Sequence, residues 1–456
     1  RINKFARILI DISNLFVTSV AFEGYCVIVG VRPSWKKPRC SGCGKICPGY
    51  DHREDPTRWV HLGLGAVRIM LEYAPRRVEC PDCGVRIELV PWARANSRFT
   101  RPFEEMTAYL AQITNKTEVS RIMGIAWRTV GNIIERVVED KLDTERLDNL
   151  KRIGIDEFSY RKRHRYITTV VDHVRKRIVW AAEGKDSDTL NTFFDELGSE
   201  RCAKLETITI DMSTGFIKSI EAKVPGAQIV FDLFHVLKLA SEAVDKVRRQ
   251  EVNKLKDLDA PEEATAIKKS KYTLLKNPWN LKAKEWDKLS AIQKHNAPLY
   301  RAYLLKESLA AVFEETSCDD AKKELNRWLA WASRSKLEPF VKTARTVRKH
   351  KDDILAYVRT KLTNGIVEGF NNKLRMIVNR AFGFHSAGAL IGMLFLTCGG
   401  VTTNPPLLAL GVLGRSISQA PIQLDPVPPS SSSGPAASRR LDGMSATSGA
   451  RPIFNT

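Results

Sequence analysis

Between residues 152 and 235 the chain alternates short apolar runs with amphipathic ones in the order β-β-β-α-β-α-β. The runs 153–158, 166–172, 178–182, 207–211 and 228–232 are short and rich in β-branched residues, so they predict strands. Segments 189–197 and 215–223 carry helical periodicity. Such alternation predicts an α/β layer with helices packed on a sheet. Acids break two of the apolar runs: Asp156 in Ile153-Gly154-Ile155-Asp156-Glu157-Phe158, and Asp211 in Ile208-Thr209-Ile210-Asp211-Met212. Buried strands rarely carry acids unless these are paired or bind a metal. A third acid, Glu368, falls on a predicted helix over 366–379. Val367, Phe370, Leu374 and Ile377 form its apolar stripe, and Glu368, Asn372, Arg375 and Asn379 an adjoining polar one. Strand caps and a solvated helix face would account for any one of these acids alone. The ordered set reads as a site for hard divalent cations held through oxygen. Phosphoryl transfer uses such a site.

Four of the nine cysteines form two knuckles, Cys40-Ser41-Gly42-Cys43 and Cys80-Pro81-Asp82-Cys83. Two thiolates on one tight turn reach one ion, and two knuckles complete a closed tetrahedral zinc site with a structural role. Residues 36–95 therefore read as a zinc ribbon, with Cys47 and His52 close enough in sequence to stand in for a ligand. Cys26, Cys202, Cys318 and Cys398 are isolated and read as small buried apolar residues. Redox or unpaired thiols are the competing reading. No signal peptide is evident, and the apolar stretch over 8–31 contains Asp11, Asn14 and Glu23, too polar for a bilayer. A reducing cytoplasmic setting without membrane contact is expected.

Lys+Arg number 72 against 52 Asp+Glu, a net charge of +20. That excludes a small acidic substrate as the whole explanation and favours a polyanion, nucleic acid first. Residues 102–147 carry three helical runs, 103–113, 117–123 and 127–138, with Gly124 at the second break. This is the pattern of a helix-turn-helix, although any helical hairpin shares it. On this reading Arg128 and Asn132 face the major groove, and Ala126 leaves the last helix without a capping side chain. Residues 240–355 are helical and lysine-rich. Trp279, Trp286, Trp328 and Trp331 are expected in the core there, with base stacking as the rival reading. Lysines such as Lys268 and Lys269 read as a phosphate-facing surface. Arg161 and Arg163, in a basic hairpin loop, are expected to track DNA backbone. The Pro/Ser-rich tail over 402–456 is expected to be disordered.

At IGIDEFSYRKRHRYITTVVD, DMSTGFIKSIEAKVPGAQIVFDLFHV and LTNGIVEGFNNKLRMIVNRAFGF the chain resembles the insertion-sequence transposases of the ISL3 group, within the DDE superfamily. The resemblance implies an RNase H-like catalytic core with Asp156, Asp211 and Glu368 as its acids. It implies magnesium-dependent cleavage at element ends and transfer of the freed 3′-hydroxyl into target DNA. His235, in Asp232-Leu233-Phe234-His235, would contact the scissile phosphate or flanking strand; Asp232 could equally cap the next helix. The resemblance also implies double-stranded DNA, both element ends and target, as partner, and self-association in a synaptic complex. The expected order is an N-terminal segment (1–35), zinc ribbon (36–95), helix-turn-helix (102–147), core (152–239), all-α insertion (240–355), second core part (356–401) and tail (402–456). A DNA-binding regulator without catalysis, or a nuclease such as a junction resolvase, are the alternatives.

Overall fold

Helix α1 (Ile2–Ile10) precedes seven strands: β1 (Leu15–Glu23), β2 (Cys26–Pro33), β3 (Gly49–Asp51), β4 (Thr57–Leu64), β5 (Val67–Tyr73), β6 (Arg77–Cys80) and β7 (Gly84–Ile87). The computed structural model describes residues 2–51, 55–161, 165–403 and 405. His52, Arg163 and nearly all of the 402–456 tail lie outside them. The strands form two sheets, β1-β2-β5-β4 and β3-β6-β7. Cys26 to Gly30 of β2 pair in parallel with Arg68 to Glu72 of β5. Residues 15–33 and 57–73 thus share one sheet, and a boundary at 35 cuts through it. Its core holds Leu15, Val29, Val31, Trp59, Leu71 and Trp92. The cysteine knuckles belong to the smaller sheet.

Three helices follow: α2 (Arg101–Ile113), α3 (Lys116–Met123) and α4 (Trp127–Lys141). Asn115 Oδ1 accepts from the Glu118 N–H at 2.9 Å and starts α3. Gly124, at φ +64°, ends it in the left-handed conformation that glycine adopts without cost. A buried ionic knot joins this unit to the strands before it. Arg94, its side chain 5% exposed, meets Glu104 at 3.0 Å, Glu105 at 2.6 Å and Asp140 at 2.9 Å. Arg136 reaches the same fully buried Glu104 at 2.6 Å. Removing one partner of such a network strands the other charges away from water. We expect Arg94→Ala to lower unfolding free energy by about 3–5 kcal/mol, read from denaturant melts. A loss below about 1 kcal/mol, the range of an exposed pair, would contradict this account.

The next sheet is built from β8 (Arg152–Arg161), β9 (Arg165–Asp172), β10 (Arg177–Glu183), β11 (Thr207–Ile210) and β12 (Gln228–Phe231), with α5 (Ser187–Leu197), α6 (Ser199–Cys202) and α7 (Thr214–Lys223) in the connections. Its strand order is β10-β9-β8-β11-β12. The first three strands are antiparallel, and β11 runs parallel to both β8 and β12. From β12 the chain enters α8 (Leu233–Asp257), α9 (Pro261–Lys268), α10 (Lys271–Leu275), α11 (Ala283–His295), α12 (Ala297–Val312), α13 (Cys318–Arg334), α14 (Glu338–Lys349), α15 (Lys351–Thr360), α16 (Gly365–Arg380) and α17 (Ala387–Cys398).

Two apolar clusters cover the two sheet faces. Ile153, Ile155, Ile208 and Ile210 face α5, α7 and the helices from α8 to α15 in one continuous cluster. Phe158, Tyr160, Ile167 and Val171 face the other way, against α4, α16 and α17. The helical stretch over 240–355 therefore continues the sheet's own core, and the three-helix unit shares the opposite one. Cys202 and Cys398 are buried as expected, but Cys26 is half-buried and Cys318, at the start of α13, is exposed. No helix among the described residues is long and apolar enough to cross a membrane.

Candidate active site and cysteine centre

Register places three aspartates in a row. Thr209 pairs with Gly154 on one side and with Val230 on the other. Two residues further along the same strand face lie Asp211, Asp156 and Asp232. Neighbouring strands are about 4.8 Å apart, so the three carboxylates emerge side by side. Burial, followed by the charge of Asp211, pushes the Asp156 carboxyl above its ordinary value. Burial does the same to Asp211, with Asp232 adding to it. Glu157 is raised too, by burial and then by Asp211. His235 Nδ1 lies 2.9 Å from Asp232 Oδ2. That bond raises the imidazole's pKa against the effect of burial, and Asp211 and Asp156 raise it further. Asp232 also caps α8 through the Phe234 N–H at 3.4 Å. Asp232 therefore caps the helix, as the sequence allowed, and holds the His235 ring at the same time.

The helix bearing Glu368 lies over this row because Gly154 has no side chain. A Cβ there would meet Val367 Cγ2 at 2.4 Å, His173 Nε2 at 2.8 Å and Thr209 Oγ1 at 3.0 Å. Thr209 Oγ1 in turn donates to Asn364 Oδ1 at 2.6 Å, just before α16. Asn371 Nδ2 then donates to Asp156 Oδ2 at 2.6 Å. Glu368 is exposed, one turn ahead of Asn371 on α16. Its carboxylate forms no hydrogen bond or ion pair among the described residues. Asp156, Asp211 and Glu368 do not close to within 4.8 Å of one another. We expect Gly154→Val to push α16 off β8, costing about 1–3 kcal/mol in a melt and separating Asn371 from Asp156. A variant as stable as the parent would mean the helix is held some other way.

The sequence reading put Asn372 and Arg375 on the useful stripe. In the structure Arg375 Nη1 donates to Asn372 Oδ1 at 2.7 Å, both exposed, and Asn371 is the amide turned inward. Arg128 is exposed at the start of α4. Asn132 is exposed as well, and it lines a cleft of about 990 Å³ shared with Arg94, Arg98, Arg101, Arg136 and the N-terminal strands. It faces that cleft because the four-stranded sheet docks beside α2 and α4. Arg161 is exposed at the end of β8.

The sulfurs of Cys40, Cys43, Cys80 and Cys83 lie within 4.8 Å of one another, with Cys43 and Cys80 3.5 Å apart. Four thiolates at about 2.3 Å from one zinc sit about 3.8 Å apart, so the donor set fits that ion. Burial raises the Cys80 thiol, but the N–H groups of Asp82 and Cys83 and the thiols of Cys43 and Cys47 outweigh it and hold it at about 6. Cys47 is buried beside the cluster but outside the set of four.

A ribbon with four clustered thiols, a helix-turn-helix and a sheet presenting a row of aspartates define a DNA-processing protein. Three family models match in that order: the zinc-finger of transposase IS204/IS1001/IS1096/IS1165 over 36–83, the helix-turn-helix domain of transposase family ISL3 over 88–138, and an ISL3 transposase domain over 153–394. The chain is 39% identical over 401 residues to the transposase for insertion sequence element IS1557 of Mycobacterium tuberculosis, covering 83% of this chain and 90% of the relative. It is 30% identical over 363 residues to the transposase for insertion sequence element IS1001 of Bordetella parapertussis, covering 79% and 89%. The chain belongs to the ISL3 family of insertion-sequence transposases. Its helix-turn-helix marks it as DNA-binding, and the cysteine cluster supports a structural zinc.

Proposed function

We propose that this transposase cuts the ends of its element and joins the freed 3′-hydroxyls to target DNA at the row of aspartates. The observation that carries the reading is the in-register placement of Asp156 and Asp211 on adjacent parallel strands beneath the helix that bears Glu368. The strand order, three antiparallel strands followed by two parallel to the first, supports an RNase H-like core. The helices after β12 would then be an elaboration inserted before α16.

The donor set fits hard cations: side-by-side carboxylates, raised by burial and mutual repulsion, gain from a positive charge between them. Asp156, Asp211 and Glu368 would hold magnesium or manganese. Bound there, two such ions supply polarisation of the scissile phosphate and stabilisation of the attacking and departing oxygens. Asn371 fixes the Asp156 carboxylate through its N–H donor. His235, held by Asp232 and drawn toward the cationic form, can donate to a phosphate oxygen of the strand. Arg128 and Arg161 offer cations to DNA at two places, and Arg375 a third beside Glu368. Element ends meet the helix-turn-helix, target DNA meets the core, and two chains pair the two ends. The test is to supply terminal-repeat duplex, target plasmid and Mg²⁺. Covalent joining of 3′ ends supports the reading. Specific binding without cleavage would leave a regulator, and cleavage of branched DNA without joining would leave a resolvase.

A further inference from the structure

The four tryptophans of the helical stretch do not share one role. Trp328 is 2% exposed and donates its indole N–H to Leu305 O at 2.8 Å, as a core residue should. Tyr272, Trp279 and Trp286 are 73%, 68% and 46% exposed. They fall along one short path from α10 through a 3₁₀ turn at Pro278–Asn280 into the first turn of α11. That path is anchored by other residues. Thr273, Leu274, Leu289 and Ile292 are buried, and Lys306 Nζ donates to Lys276 O at 3.0 Å. Three large rings are thus held in water by a supported backbone, contributing little to the core beneath them.

The same path is basic. Residues 268 to 288 contain seven lysines and two acids. One pair, Lys276 with Glu285 at 2.6 Å, is satisfied internally. Lys282, Lys284 and Lys288 are exposed and make no ion pair among the described residues. Protein interfaces are depleted in lysine at their centres. Surfaces that take unpaired nucleic acid combine lysines for the phosphates with aromatic faces for the bases.

We propose that the path from Tyr272 to Trp286 is a platform for unpaired DNA. Bases freed from the duplex stack on Trp279, Trp286 and Tyr272, while the flanking lysines meet the backbone. The proposal extends the reading of the chain as a transposase by naming the form of DNA that this segment grips. Its test needs neither cleavage nor a cation.

The full chain is titrated into labelled oligothymidylate and, separately, into labelled random duplex, with fluorescence anisotropy as readout. Trp279→Ala with Trp286→Ala should weaken oligothymidylate binding by at least about fivefold per ring, the lower end of measured stacking contributions. Duplex binding should move by less than about twofold, since duplex binding rests on phosphate contacts. Trp279→Phe with Trp286→Phe should restore most of the single-strand affinity. Unchanged oligothymidylate binding by the Ala variant would overturn the proposal. So would an equal loss on both DNAs, or a change confined to sedimentation, which would make the rings a protein contact. If the Ala variant melts early, the Phe variant decides: a folded Phe variant that has lost single-strand binding also overturns it. Absent end joining with intact, ring-dependent oligothymidylate binding would reject the strand-transfer reading and leave the platform standing.

Discussion

Asp211→Asn will stop cleavage of element-end DNA by roughly 10³-fold or more while terminal-repeat binding survives. Each 1.36 kcal/mol, about, lost from transition-state stabilisation is tenfold in rate, and a polarising metal supplies several. Asp156→Asn should match it. The amide keeps the shape of the carboxylate, so the strands and their register remain. Stability should respond in the opposite sense. Burial and Asp232 hold the Asp211 carboxyl above its ordinary value. An acid raised on folding is easiest to accommodate protonated. Its favourable share of stability is therefore present below the unfolded value, about 3.9, and is lost as pH rises through the raised folded one. In a chelator the parent chain should lose stability across that window, and Asp211→Asn should flatten the loss. Cleavage retained in the variant would remove Asp211 from the reaction. A variant less stable than the parent at neutral pH in chelator would show that the carboxylates are not in repulsion.

The second large effect concerns the cysteines. Apparent binding free energies of structural zinc reach about 10–16 kcal/mol and are folding free energy, because the unfolded chain has no preformed site. The small sheet β3-β6-β7 has little else: its buried cluster is Cys40, Cys47, Val78 and Cys80. Chelation of the full chain, or Cys80→Ser, should therefore unfold this sheet, seen as loss of amide-exchange protection over 39–51 and 77–88, with 57–73 of the larger sheet still protected. Elemental analysis should find one zinc per parent chain. Cys47→Ser should keep the metal, since its sulfur lies outside the set of four. A Cys47→Ser chain as metal-free as Cys43→Ser would put Cys47 in the set.

The aspartates were legible because an acid inside an apolar strand is conspicuous, and Asp156 and Asp211 each interrupt such a run. Asn371 was not. A helical phase read from apolar spacing alone placed the polar stripe on Glu368, Asn372 and Arg375, and one inward amide needs a partner on another element to become visible. Strands β1 and β4 escaped notice because their alternation is blurred by exposed edge positions. Leu15–Glu23 buries its first residue and leaves most others in water. Helix α17 escaped for the converse reason: apolar on all sides, it has no stripe to read, yet it packs into the cluster beside the sheet. The exposure of Trp279 and Trp286 reverses the expectation that tryptophans at helical spacing are core. Only Trp328 among the four is fully enclosed, with Trp331 at 38% exposure.

The shared core beneath the three-helix unit has a further consequence. Gln112 Nε2 donates to Leu396 O at 2.6 Å, Arg380 Nη1 donates to Gln112 O at 2.7 Å, and the rings of Trp127 and His385 lie 5.8 Å apart. The three-helix unit and the sheet are thus parts of one casting, without a tether between them. On the proposed reading, in which that unit reads the element end and the aspartates cut it, the contacts set the span between the two. B-form DNA turns about 34° per base pair, so one base pair added between the read sequence and the cut site should turn the wrong side of the backbone toward the aspartates and lower end cleavage.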